Sequence, residues 1–305
     1  MTNSVSLTGL RADIPLGFMA ALGLWRILES SDEFSGIKMR WEEHRGTFIP
    51  VLVQGGLTEA ELLTACLAHL EAWPEQALFE FRPSVKTTNN GDLRRWRDQF
   101  PAFDEWFAAF SVEGHGAADE TKVSPLDMSF AAQMFPAGVV KVRTDLQKGH
   151  GKRGSSLTDR FREALIGPWL YRDNCHSRGW DASTLKEGAF TFKEPSPMPN
   201  SGVAAAVWLA VHSLPCFPCY VDHGRLRARG FATNKGTRLF KWPIWEPAIS
   251  RQAALTMLGQ TARYTRGDTS AAIGIRARGV SAIYSSERRN LTKYTFSLLA
   301  PERIL

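Results

Sequence analysis

Phe240-Lys241-Trp242-Pro243-Ile244-Trp245-Glu246-Pro247 decides how the C-terminal part of the chain is read. Aromatics alternate with a cation along it, and its prolines hold the backbone on an extended path. Further on, Arg276-Ala-Arg-Gly-Val-Ser-Ala-Ile-Tyr-Ser-Ser-Glu-Arg-Arg-Asn290 reads as a strand running into a basic turn. One helix is expected between them, near Arg251–Leu258. The end of the chain is therefore predicted to be β-rich.

Both stretches lie in a segment, Arg225 to Lys293, that holds 14 Lys and Arg against three Asp and Glu. Eleven of the cations are Arg, whose planar fork suits phosphate oxygens better than the point charge of Lys. The expectation is a polyanion-facing surface, and its bland rival is a solvated basic face that aids solubility. Charge is also divided along the chain. Residues 1–140 carry 11 basic and 19 acidic side chains, and residues 141–305 carry 26 and 12. An acidic α+β lobe (1–140) and a basic α+β lobe (141–305) are expected, as two lobes or one continuous domain. Such asymmetry points to nucleic acid. The basic residues sit in strand-and-turn patterns and form no amphipathic basic helix, which disfavours a membrane surface.

The overall composition, 44% hydrophobic and 22% charged, is that of a globular protein. No apolar run reaches the roughly 18 residues of a membrane-spanning helix. The first residues lack the pattern of a secretory signal. Four cysteines are too few for a disulfide scaffold, so a reducing cytoplasm is expected.

From the N-terminus, Val5–Leu10 alternates like a short strand. Asp13 is placed to cap a helix with Pro15 in its first turn. Leu16, Met19, Ala20, Gly23, Leu24, Ile27 and Leu28 then trace one apolar face at helical period. Gly17, Ala20, Ala21 and Gly23 would let a neighbour approach closely. Ile37–Trp41 and Thr47–Val53 read as paired strands, and Thr58 with Glu61 as a capping box for a helix to about Trp73. Ala77–Phe81 is a possible strand, and Asp92–Phe110 a helix kinked or divided at Pro101. Ser111–Lys122 is expected to be an exposed connection, Val139–Arg143 a strand, Leu157–Ile166 a helix and Gly188–Lys193 a strand. Glu194–Gly202 is a proline-rich connector and Val203–Leu214 a buried helix. The fold class is thus α+β, with helices concentrated early and strands late.

Lys148-Gly-His-Gly-Lys-Arg-Gly-Ser-Ser156 invites comparison with a phosphate-binding loop. In the Walker pattern, however, Ser or Thr directly follows the Gly-Lys pair, and here Arg153 follows Lys152. A basic loop touching a nucleic-acid backbone and a plain linker are the two readings left. His212, Cys216, Cys219 and His223 have zinc-ligand types and spacing, yet Leu214, Pro215, Phe217, Pro218 and Tyr220 make the segment a hydrophobic passage where a small buried thiol serves equally. No spacing singles out a catalytic set among the acids or histidines. Neither a catalytic residue, a metal nor a cofactor is expected.

One resemblance spans most of the chain. It is carried by Leu10, by Asp13-Ile-Pro-Leu-Gly-Phe-Met-Ala-Ala-Leu-Gly-Leu24, by Phe161-Arg-Glu-Ala-Leu-Ile-Gly-Pro-Trp169 and by Gly179-Trp-Asp-Ala182. It continues through Trp208-Leu-Ala-Val-His-Ser-Leu-Pro-Cys-Phe-Pro218, Trp242–Pro247 and Gly279-Val-Ser-Ala-Ile-Tyr-Ser-Ser-Glu-Arg288. In order and spacing these stretches resemble accessory and large-subunit-like proteins of type I-G (formerly I-U) CRISPR systems. The chain is shorter than those large subunits, so a reduced form and an extension module of the helicase–nuclease both stay open. The family's stretch matching Leu214–Pro218 is mainly apolar and has no required cysteines.

The resemblance implies an antiviral ribonucleoprotein component. It would hold guide RNA or target DNA by the backbone, beside other effector subunits, while base pairing supplies sequence specificity. The residues expected to touch nucleic acid are Lys152, Arg153, Arg225, Arg227, Arg229, Lys235, Arg238, Lys241, Trp242, Arg276, Arg278, Arg288, Arg289 and Lys293. Trp242, Trp245 and Tyr284 could stack on unpaired bases, although core packing is the commoner fate of each. A metal-dependent nuclease and a purely structural adaptor docking through its acidic half are the rival readings.

Overall fold

The face traced by Leu16 to Leu28 belongs to a helix, α1 (Pro15–Glu29), of whose 15 residues 13 are buried. Burial on nearly every side makes α1 the centre of the fold rather than a surface helix. The computed structural model describes residues 4–73, 89–114, 121–128, 135–148, 155–184, 201–292 and 295–305. Among them are nine α-helices and four antiparallel sheets, a mixed α+β fold.

Three layers meet on α1. On one side lies a second apolar helix, here numbered α7 (Ala204–His212), all of whose residues are buried. The two approach so closely that a Cβ on Gly23 would collide with the backbone carbonyl of Leu209, which explains the small residues of α1. A second side is covered by a sheet of β1 (Ser4–Ser6), β2 (Lys38–His44) and β3 (Thr47–Val53), in the order β1-β3-β2. The third is covered by a larger sheet, ordered β11-β10-β9-β8, of β8 (Phe231–Asn234), β9 (Thr237–Trp245), β10 (Val280–Thr292) and β11 (Thr295–Leu298). A final short strand, β12 (Glu302–Arg303), pairs with β10 through Tyr284↔Arg303 and Ser285↔Glu302.

Tryptophans join the layers. Phe18 of α1 stacks between Trp41 of β2 and Trp242 of β9, with each pair of ring centroids 5.8 Å apart. Three indoles donate to a backbone carbonyl of another layer or loop: Trp25 to Ile37, Trp242 to Ala12 and Trp245 to Met39, at 2.9 to 3.1 Å. Met39 also bridges to Ile249 just after β9. One hydrophobic core therefore runs through residues of both the acidic and the basic half.

The remaining elements pack around this centre. They are α2 (Glu59–Ala72), α3 (Asn90–Gln99), α4 (Asp104–Phe110), α5 (Phe135–Gln147), α6 (Leu157–Ile166), α8 (Arg251–Thr261) and α9 (Thr269–Arg276). Two small hairpins complete the fold: β4 (Ser111–Glu113) with β5 (Thr121–Val123), and β6 (Cys219–Asp222) with β7 (Arg225–Ala228). Thr58 and Glu61 form the expected capping box on α2. A 3-10 turn at Pro101–Phe103 separates α3 from α4, as Pro101 required. Among the described residues no helix is long and apolar enough to cross a membrane.

Several local expectations are corrected. Val139–Arg143 lies inside helix α5, not a strand; Val142 and Leu146, four apart, are both fully buried, the spacing of one helical face. Asp13 does not cap α1. Its carboxylate takes Nε of Arg11 at 3.0 Å and the Thr47 hydroxyl at 2.8 Å, and the N-cap residue is Ile14. Ser111–Lys122 is not wholly an exposed connection, because its two ends pair as strands and Ser111 is buried. The β-rich end holds a second helix, α9, which takes Arg276 out of the strand predicted to begin there. Ala77–Phe81, Gly188–Lys193 and most of the 194–202 connector fall outside the described residues.

Candidate nucleic-acid interface

Strand alternation builds the site. Successive residues of a strand point to opposite faces of the sheet. On β9, Phe240, Trp242 and Ile244 face the core, while Leu239 and Lys241 face the other way. Directly opposed residues share a face, so Ser285 of β10 and Glu302 of β12 lie on the Lys241 side through the pairs Lys241↔Ser285↔Glu302. This second face is the floor of a cleft of about 600 Å³. One wall is the β6–β7 hairpin with the following Arg229 and Gly230, and the other is the end of α8 with Arg263, Thr265 and Arg266.

Five cations line the cleft, Arg227, Arg229, Lys241, Arg263 and Arg266, against two carboxylates, Asp222 and Glu302. Arg263 and Arg266 are exposed. Nη1 of Arg266 stands 3.5 Å from Glu302, an exposed pair of little energetic weight. Nε of Arg227 donates to Asp222 at 3.4 Å, and Nη1 of Arg229 to the Cys216 carbonyl at 3.1 Å. Each guanidinium keeps further N–H groups beyond those bonds. Lys241 is buried on the floor, and burial lowers its pKa from the usual lysine value. Its Nζ donates to the Tyr264 carbonyl at 2.6 Å, just beyond α8, where helix-end carbonyls favour a cation. Tyr220 stands on the hairpin wall and is 48% exposed.

The residues predicted to touch nucleic acid divide sharply. Arg227, Arg229 and Lys241 line the cleft. Arg225 and Lys235 are exposed at or beside the ends of hairpins, and Arg238 is exposed on β9. Arg276 and Arg278 are exposed around the end of α9, with Nη1 of Arg278 3.3 Å from Oε1 of Gln260. Arg289 is exposed and forks onto Glu287 with two bonds of 2.9 Å. Lys152, Arg153 and Lys293 lie outside the described residues.

Two of the predicted residues face inward. Trp242 is fully buried, stacked on Phe18 and on Tyr284, and offers no face to a base. Trp245 is likewise in the core. Arg288 donates from Nε to the Pro125 carbonyl at 2.8 Å and from Nη2 to that of Asp127 at 3.0 Å, and its guanidinium lies 3.8 Å over the Phe296 ring. Burial, with Arg238 nearby, pushes its pKa down to about 10. Its guanidinium is thus engaged within the protein, by two backbone carbonyls and an aromatic ring. Arg251, also in the basic stretch, pairs with Glu29 of the first half at 2.6 Å.

Arg263, Arg266 and Tyr220 are the cleft residues that sequence reasoning did not single out. The two arginines carried a signal in the charge count of the segment. Tyr220 carried one only in standing two residues from Asp222 on the strand that pairs with β7.

The four suggested zinc ligands do not gather. His212 is buried among Trp73, Trp106, Trp208 and His69, whereas His223 sits at the exposed tip of the β6–β7 hairpin. Cys216 and Cys219 are buried, and burial raises both thiol pKa values, to about 12 for Cys219. Among the described residues no three His, Cys, Asp or Glu side chains are placed to hold a metal ion. Comparison of the chain with protein-family models, curated proteins and solved structures gave no match.

Proposed function

We propose that this chain is a non-catalytic nucleic-acid-binding protein that holds a phosphate backbone in the cleft between the β6–β7 hairpin and the end of α8. The observation that carries this reading is the convergence of Arg227, Arg229, Lys241, Arg263 and Arg266 on one concave surface from separate elements. Low-dielectric walls focus the field of such a group, and arginine forks match phosphate oxygens. The sequence resemblance extends the proposal: the setting is a CRISPR antiviral ribonucleoprotein, the ligand guide RNA or target DNA, and other effector subunits are its protein partners.

The test is binding of short DNA and RNA, single- and double-stranded, at two salt concentrations, with and without divalent metal. Affinity should fall steeply with salt, the log–log slope steepening by about 0.9 for each phosphate neutralised on duplex DNA and about 0.7 on single strands. Replacing Arg227, Arg263 and Arg266 together by Ala should weaken binding at least about tenfold and flatten that slope by roughly two to three units. Replacing Arg276 and Arg278, outside the cleft, should change it far less. Equal losses from the two sets would remove the cleft from the proposal. Metal-dependent cleavage of any of the oligonucleotides would replace the non-catalytic reading with the nuclease one.

A further inference from the structure

We infer that the cleft selects single-stranded nucleic acid, with an unpaired base laid on the ring of Tyr220. This deepens the backbone-binding proposal and rests on it. Leu170, Tyr220, Ile273 and Leu291 are large hydrophobic side chains exposed on the described surface, and of these Tyr220 lines the cleft. An aromatic ring left in water next to cations suits a ligand with its own π face and its own negative charge.

The register makes the pairing specific. Tyr220 stands directly opposite Arg227 in the β6–β7 hairpin. Opposed residues on one face of an antiparallel pair have Cβ atoms about 5 Å apart. A phosphate at Arg227 and a base on Tyr220 can therefore belong to one nucleotide. Asp222 shares that face and accepts from Nε of Arg227, which steadies the guanidinium beside the ring. Farther along the cleft, Asn234 and Ser285 supply amide and hydroxyl groups suited to a sugar or a base edge. The volume of about 600 Å³ is that of a site enclosing a small ligand. A duplex keeps its bases stacked on each other and presents no free face to Tyr220.

The experiment is fluorescence anisotropy with a labelled single-stranded oligonucleotide of about ten nucleotides, within the footprint of known single-strand binders, and with a blunt duplex of the same length. The single strand should bind more tightly. Tyr220→Ala should weaken single-strand binding by about tenfold and leave duplex binding unchanged, as loss of one stacked base requires. Tyr220→Phe, which keeps the ring, should retain most of the affinity. If Tyr220→Ala leaves single-strand affinity as it was, weakens both forms equally, or the duplex binds as tightly as the single strand, the strand preference is wrong while backbone binding stands. If neither form binds, both proposals fail together.

Discussion

The two faces of strand β9 are one residue apart in sequence and differ in almost every physical respect. Phe240, Trp242 and Ile244 are fully buried on one side, where Trp242 stacks on Phe18 of α1. On the other, Leu239 and Lys241 floor a cleft open to solvent and ringed by arginines. The same alternation separates two neighbours on β10. Glu287 is opposite Leu239, whereas Arg288 is opposite Arg238 and shares the face of Trp242. A cation's place in a basic stretch says little about its role until the face it occupies is known.

Three measurements would break or sharpen that contrast. The largest effect is expected on the inner face. Trp242→Ala removes a stacked indole and its bond to Ala12, and should cost about 3–5 kcal/mol in urea unfolding. A loss below about 1 kcal/mol would mean that the inner face is not the tight core described. Arg288→Ala leaves the Pro125 and Asp127 carbonyls without their charged donor and should cost roughly 2–3 kcal/mol. Nucleic-acid affinity measured well below its melting temperature should stay unchanged. A folded Arg288→Ala protein that had lost its affinity would return Arg288 to the binding surface.

The smallest effect concerns acid. Burial first, and the Arg26 charge second, push His69 down to about 4. Burial, then His69 and Arg26, hold His212 well below the ordinary histidine value. In the unfolded chain both would titrate near 6.5. Below that pH the unfolded state takes up protons that the folded state refuses, so stability should be level above about pH 6.5 and decline as the pH falls towards 4. His212→Phe should reduce that decline.

Much of this architecture was legible because it is local. The spacing of Leu16 to Leu28, the box of Thr58 and Glu61 and the paired strands around Gly46 are decided by residues a few positions apart. Val139–Arg143 reads as a strand in the sequence because a short run of β-branched residues fits either period, and only burial against α7 settles it as a helix. The hairpins that build the cleft were harder still. Their two-residue turns, His223-Gly224 and Lys235-Gly236, have positive φ at both positions, 47° and 70° in one and 45° and 87° in the other. Such turns are usually announced by Asn or Asp before the glycine, and a His or Lys there looks instead like a ligand. The cleft itself joins Arg227 to Arg263 and Arg266 across a strand crossing and a helix. No rule of sequence spacing reaches that far, so charge density was visible and its convergence was not.

The tryptophan junction around α1 sets how this protein can be divided. Trp25 and Trp41 come from the acidic half, Trp242 and Trp245 from the basic half, and their rings meet within one core. Severing the backbone near residue 140 would strip each fragment of its partner's indoles and leave wet apolar surface on both. Such fragments should fail to fold alone yet reassociate when mixed, with tryptophan emission shifting to the blue as they do.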